Sequence, residues 1–112
     1  MRSTRERLTV LQEGHQELPK APVLFTKPRN SLNDPYPAAI PVCKDAQDET
    51  LDYEVELCVV IGKTGKNISE DKAMDYVLGY TCSNDVSART FQMITSQWCH
   101  AKGMDGSCPL GK

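Results

Sequence analysis

Glu54 and Glu56 stand two residues apart in the run Asp52-Tyr53-Glu54-Val55-Glu56-Leu57-Cys58-Val59-Val60-Ile61. A stretch this apolar and β-branched predicts a strand. Side chains of a strand alternate between faces, so both glutamates project from one face, about 6–7 Å apart, and Tyr53, Val55 and Leu57 from the other. Paired carboxylates repel, and drawing them toward an apolar core costs several kcal/mol unless a positive charge compensates. A divalent cation is one compensation. An exposed edge strand with both glutamates in water is the alternative, and it needs no ligand. Cys58 to Ile61 place apolar groups on both faces, which predicts that the far end of the strand is buried on both sides and that the glutamates lie at the mouth of a core. Asp85, after the segment Thr81-Cys82-Ser83-Asn84, is a third carboxylate; at such a junction it suits a helix N-cap as well as a ligand. Glu54, Glu56 and Asp85 together offer only hard anionic oxygens, a donor set for Mg²⁺, Mn²⁺ or Ca²⁺ rather than zinc.

Several elements must position these residues. Val23-Leu24-Phe25-Thr26 predicts a short strand between Pro22 and Lys27-Pro28. Residues 28–50 hold four prolines among Asn, Asp and Ser and read as a long irregular connection. Gly62 to Asn67 read as a turn; the letters Gly62-Lys63-Thr64 lack the glycine five residues earlier that a phosphate loop requires, since Leu57 stands there. Ser69 reads as an N-cap followed by Glu70 and Asp71, with Ala73, Met74, Val77 and Leu78 on one helical face and Gly79 closing the helix. Thr81 to Val86 predict a second buried strand, 87–94 a short helix and 97–106 turns. Residues 2–13 carry a helix-compatible pattern.

The 112 residues bound the chain to one domain. A net charge of −2 gives no electrostatic case for nucleic acid or an anionic membrane, and no apolar run has the length to span a bilayer. Five cysteines without CxxC spacing argue against zinc sites and disulfide frameworks. The first seven residues hold three arginines but no apolar signal core, and Glu6 argues against a mitochondrial presequence. The cytoplasm is the expected compartment, with the mitochondrion as the alternative.

Residues 12–112 resemble the fumarylacetoacetate hydrolase family. The resemblance is carried by Pro22-Val23-Leu24-Phe25-Thr26-Lys27-Pro28, Tyr53-Glu54-Val55-Glu56-Leu57, Asp75-Tyr76-Val77-Leu78-Gly79-Tyr80-Thr81, Asn84-Asp85-Val86-Ser87-Ala88-Arg89, Gln97-Trp98 with Ala101-Lys102-Gly103, and Cys108-Pro109-Leu110-Gly111, in the family's order. It implies an α+β fold, a mixed β-roll of which this chain holds about the N-terminal half, with 1–21 a divergent lid-like segment and 22–112 part of the catalytic domain. It implies a homodimer in intact relatives. It also implies a Mg²⁺-type ion on Glu54, Glu56 and Asp85, a small oxo-acid substrate, and Lys102 contacting substrate and developing charge. The implied reaction is hydrolysis of an acylpyruvate- or fumarylacetoacetate-like 1,3-diketo acid through a metal-bound enolate. Oxaloacetate tautomerisation or decarboxylation uses the same enolate. A chain that pairs with a full-length relative and does no chemistry is the reading of another class. The family's lid carries a histidine–glutamate pair as base. Glu13 fits the glutamate, but Val10 stands where the histidine belongs and His15 is out of register. Met104 and Lys112 replace a usual Phe and Pro. A half-roll leaves strand edges unpaired, which invites pairing with another chain.

Overall fold

The computed structural model describes residues 20–112. Its largest paired element is an antiparallel hairpin of β3 (Val55–Ile61) and β4 (Val77–Asn84), in register from Val55 opposite Asn84 to Val60 opposite Gly79, with an irregularity between Val60 and Ile61. Two short pairs flank it. β1 (Leu32–Asn33) runs parallel to β6 (Cys108–Pro109), and β2 (Leu51–Asp52) antiparallel to β5 (Ser87–Ala88). Helices α1 (Arg89–Ile94) and α2 (Cys99–Lys102) follow β5. Leu110 bridges to Ser83, and the Gly111 amide donates to the Cys82 carbonyl at 2.7 Å, so the last residues lie along the outer side of β4. The mixture of helix and strand is the expected α+β class.

Four expectations are corrected. The predicted helix from Ser69 to Gly79 is a 3₁₀ helix over Glu70–Tyr76 that gives way directly to β4, with Gly79 inside the strand. Ser69 has the extended backbone of an N-cap (φ −68°, ψ 153°) but its side chain makes no capping hydrogen bond. Val77, Tyr80 and Thr81 fit a pleated surface better than a helix, and from Val77 onward exposure alternates with the period of two that a strand imposes. Residues 23–26 do not join a sheet. The tail 97–106 contains α2, one helical turn, where only turns were expected.

The burial of β3 is the fourth correction. Leu57 is 71% exposed, Ile61 63%, and Val59 and Val60 are also open, so the strand's far end is not enclosed on both sides. Only β4 pairs with β3 among the described residues, and a two-stranded ribbon cannot cover its own faces. The interior forms elsewhere. Ala46, Val86, Ala88, Ala101 and Cys108 supply its apolar part, while its largest fully buried side chains are Lys102 and Asp85. A polar cluster at the junction of β3, β4, β5 and α2 thus occupies the place of a core.

Candidate metal centre

Two hydrogen bonds tie Glu54, the residue before β3, to the end of β4. The Glu54 amide donates to Asn84 Oδ1 at 3.1 Å, and the Asp85 amide donates to the Glu54 carbonyl at 2.9 Å. Glu56 lies opposite Ser83 on the hairpin face shared with Cys58 and Thr81, while Leu57, Val59, Tyr80 and Cys82 face the other way. Glu54, Glu56 and Asp85 are thereby brought together, each offering a carboxylate oxygen within 4.8 Å of the others. Asp85 is not an N-cap, because α1 starts four residues later behind Ala88. Its carboxylate is fully buried, Glu54 is half-buried and Glu56 is exposed, so the trio has a closed side and an open side.

Cations line the closed side. Lys102 Nζ donates to Glu54 Oε2 at 2.9 Å, Asp85 Oδ2 at 2.8 Å and Ser87 Oγ at 2.6 Å, which uses all three of its N–H groups. Ser87 Oγ in turn donates to the Asp85 carbonyl at 3.0 Å. Lys27 Nζ donates to the other Asp85 oxygen, Oδ1, at 2.5 Å and also to the Lys102 carbonyl. Arg89 Nη1 reaches Glu54 Oε1 at 2.5 Å, and its Nε and Nη2 both reach Asp52 Oδ2, at 2.9 and 2.7 Å. The Arg89 hydrogen bond holds the Asp52 carboxyl below its ordinary range. Glu56 has no ion-pair partner among the described residues. Partial desolvation pushes its carboxyl up, and the charges of Asp85 and Glu54 push it further.

The donor set fits a hard divalent cation. Each oxygen of Glu54 and Asp85 accepts one side-chain hydrogen bond and keeps lone-pair capacity, and Glu56 contributes an uncompensated charge on the open side. Lys102 is placed against the carboxylates of Glu54 and Asp85. Glu13, with Val10 and His15, lies outside the described residues. Lys27, Ser87 and Arg89 belong to the motifs that carry the resemblance, but no role was assigned to them from sequence; their conjunction with Glu54 and Asp85 spans up to 58 residues of chain.

Beside the trio opens a cleft of about 500 Å³ whose lining includes Phe25, Glu54, Arg89, Gln92, Trp98 and Lys102. Phe25 and Trp98 meet edge to face at 5.8 Å, and Lys102 Nζ lies 5.1 Å from the Phe25 ring centre and 6.0 Å from that of Trp98. Two cationic side chains against apolar rings suit a small anion that has an apolar portion.

The family model described as Fumarylacetoacetate (FAA) hydrolase C-terminal matches residues 2–112. The chain belongs to the fumarylacetoacetate hydrolase family. It is 48% identical over 96 residues to a caffeoylpyruvate hydrolase of Neonothopanus nambi, covering 81% of this chain and 32% of that protein. It is 45% identical over 101 residues to a mitochondrial oxaloacetate tautomerase of Xenopus laevis, covering 88% and 31%. Among solved structures, a 2-hydroxyhepta-2,4-diene-1,7-dioate isomerase from Mycobacterium marinum superposes with a TM-score of 0.71 at 42% identity, covering 83% of this chain and 36% of that one. The chain thus spans about a third of the length of these relatives. The fold is part of the fold of this family, whose members carry hydrolase, isomerase and tautomerase names. No helix of the described residues is long and apolar enough to cross a membrane.

Proposed function

We propose that this chain carries the metal-binding part of a Mg²⁺-dependent enzyme that hydrolyses acylpyruvate-like 1,3-diketo acids. The observation that carries the reading is the placement of Glu54, Glu56 and Asp85 around one point, with Lys102 Nζ against two of them and an aromatic, cationic cleft alongside. A divalent ion bound there would polarise a keto oxygen and stabilise enolate charge. Mn²⁺ or Ca²⁺ would satisfy the same donors. Lys102 supplies a fixed positive charge where negative charge develops on substrate oxygen, and the Arg89 guanidinium lies in the cleft to meet a substrate carboxylate. Phe25 and Trp98 exclude water from the rest of the acid. Hydrolysis adds hydroxide to the acyl carbon and a proton to the carbon released from it; Glu13 is the residue proposed to serve that water.

Tautomerisation of oxaloacetate is the second reading. Two observations favour it: Val10 stands in place of the lid histidine, and several relatives are named oxaloacetate tautomerases. Moving a proton between carbon and oxygen needs no activated water. The third reading, a chain that pairs with a longer relative without catalysis, is supported by the exposed apolar hairpin. Homodimer formation by such relatives and a cytoplasmic or mitochondrial location belong to the same proposal.

Assays of the Mg²⁺-loaded protein with fumarylpyruvate and with oxaloacetate separate these readings. Release of pyruvate from fumarylpyruvate supports the hydrolase. Enol–keto interconversion of oxaloacetate without carbon–carbon cleavage overturns it in favour of the tautomerase, and inactivity on both leaves the non-catalytic reading.

A further inference from the structure

Lys27 is, with Arg89, one of two basic groups of the cluster that no expectation placed. It sits in an extended segment that joins no sheet, yet its Nζ donates to two groups from different parts of the chain: Asp85 Oδ1 at 2.5 Å and the backbone carbonyl of Lys102. The contact is enclosed, since the Lys27 side chain is 15% exposed and that of Asp85 2%. The surrounding backbone is fitted to it. Gly103 follows Lys102 so closely against the next residue of the Lys27 segment that a Cβ there would lie 3.1 Å from Pro28 Cδ and 2.5 Å from the Cys99 carbonyl. The Ser107 hydroxyl donates to the same Lys102 carbonyl at 3.1 Å.

Charge shows what this does. Asp85 is buried with one ammonium on each oxygen, Lys27 on Oδ1 and Lys102 on Oδ2. A buried carboxylate left without a partner is strongly destabilising, so the lysine pair permits the acidic cluster to fold with no ion in it. A divalent cation among Glu54, Glu56 and Asp85 brings two further positive charges against that pair. Lys102 is wholly buried, whereas the Lys27 side chain keeps 15% of its surface exposed.

We propose that Lys27 is a positioning residue: its ammonium ties Asp85 to the backbone of Lys102, acts as the built-in counter-ion of the buried carboxylate, and holds down the affinity of the trio for a divalent cation. The affinity part rests on the reading of Glu54, Glu56 and Asp85 as a cation site; the pairing part does not.

Two measurements on the full 112-residue chain test it. In chelator, Lys27→Met lowers Tm in the wild-type background and has little effect in an Asp85→Asn background. An equal loss in both backgrounds overturns the pairing. Mn²⁺ binding is then followed by loss of the free-ion electron paramagnetic resonance signal. Lys27→Met binds Mn²⁺ about tenfold more tightly than wild type, because one repelling charge is gone, while Lys27→Arg stays near wild type. Unchanged or weaker binding by Lys27→Met overturns the counter-ion role. Lys27→Gln serves the same comparison if the methionine variant does not fold. A wild-type protein that takes up no Mn²⁺ overturns the cation-site reading and the affinity part with it, and the Tm comparison still decides the pairing.

Discussion

Lys102 Nζ lies 2.8 Å from Asp85 Oδ2, and both side chains are 2% exposed. This ion pair occupies the interior that a domain of this size would normally fill with leucine and valine. Desolvating two charges costs several kcal/mol per ion, and the cost is offset only when geometry and further hydrogen bonds are good. Here they are: Lys102 has three acceptors, and each Asp85 oxygen has an ammonium.

Removing one partner should therefore be severe. Lys102→Met leaves Asp85 and Glu54 each short of a donor, and we expect a loss of about 3–5 kcal/mol of stability without metal. Urea unfolding in chelator measures it, and millimolar Mg²⁺ should return part of the loss by supplying the missing positive charge. A change below about 1 kcal/mol, the size typical of an exposed pair, would contradict the structural role given to this lysine.

Glu56 is expected to behave in the opposite way. Its carboxyl is pushed up by desolvation and then by the charges of Asp85 and Glu54. A carboxyl raised above its unfolded value of 4.5 favours folding below that value, and the advantage is lost as pH rises through the folded-state value. At neutral pH the ionised Glu56 thus works against the ion-free fold. Glu56→Gln should raise Tm in chelator and abolish the further rise that Mg²⁺ gives the wild type. A variant that loses Tm in chelator would show that Glu56 is not under repulsion.

The pairing of Glu54 and Glu56 was legible in the sequence because extended backbone alternates faces, although Glu54 lies just before β3 and is held by its bonds to Asn84 and Asp85. Asp85 was legible as a third carboxylate after the second predicted strand, and the family motifs then supplied Lys102. Burial was less legible: Leu57 to Ile61 are apolar in sequence, but whether they are covered depends on what packs over them, and the hairpin alone covers little. The stretch Ser69 to Gly79 satisfied a helical face and a cap, yet pairing with β3 took Val77 onward into a strand. Lys27 and Arg89 were visible as letters of motifs, but their partners are set by chain closure over 58 and 35 residues.

Arg89 gives a pH-dependent prediction. It holds Asp52 below the ordinary carboxyl value of 3.8, so the pair contributes stability above that value and loses it as pH falls through the depressed folded-state value. Both side chains are more than a third exposed or nearly so, at 46% for Asp52 and 35% for Arg89, and the contribution is therefore below about 1 kcal/mol. Tm of Asp52→Asn should converge on wild type at acid pH and fall slightly below it at neutral pH. Arg89→Lys should give a similar small loss, because an ammonium cannot reach Asp52 and Glu54 together as the guanidinium does. A gap between Asp52→Asn and wild type that widens toward low pH would contradict the assignment.

The outer face of the hairpin predicts a measurable liability. Leu57, Leu78 and Tyr80 are 71%, 75% and 53% exposed, a contiguous apolar surface beside a β3 edge that is unpaired among the described residues. The chain should bind a hydrophobic dye such as anilinonaphthalene sulfonate and associate as its concentration rises. Leu57→Lys and Leu78→Lys together should suppress both effects, with light scattering and dye fluorescence as readouts. Undiminished dye binding in the double variant would place the exposed surface elsewhere.

The metal reading is tested most directly by crystallising the chain with Mn²⁺ and computing an anomalous difference map at the manganese edge. The expected result is a single strong peak between the carboxylates of Glu54, Glu56 and Asp85, absent from crystals of Glu54→Gln. A map with no peak there at millimolar Mn²⁺, or with a peak that survives Glu54→Gln, would contradict the assignment of these three residues as the metal centre.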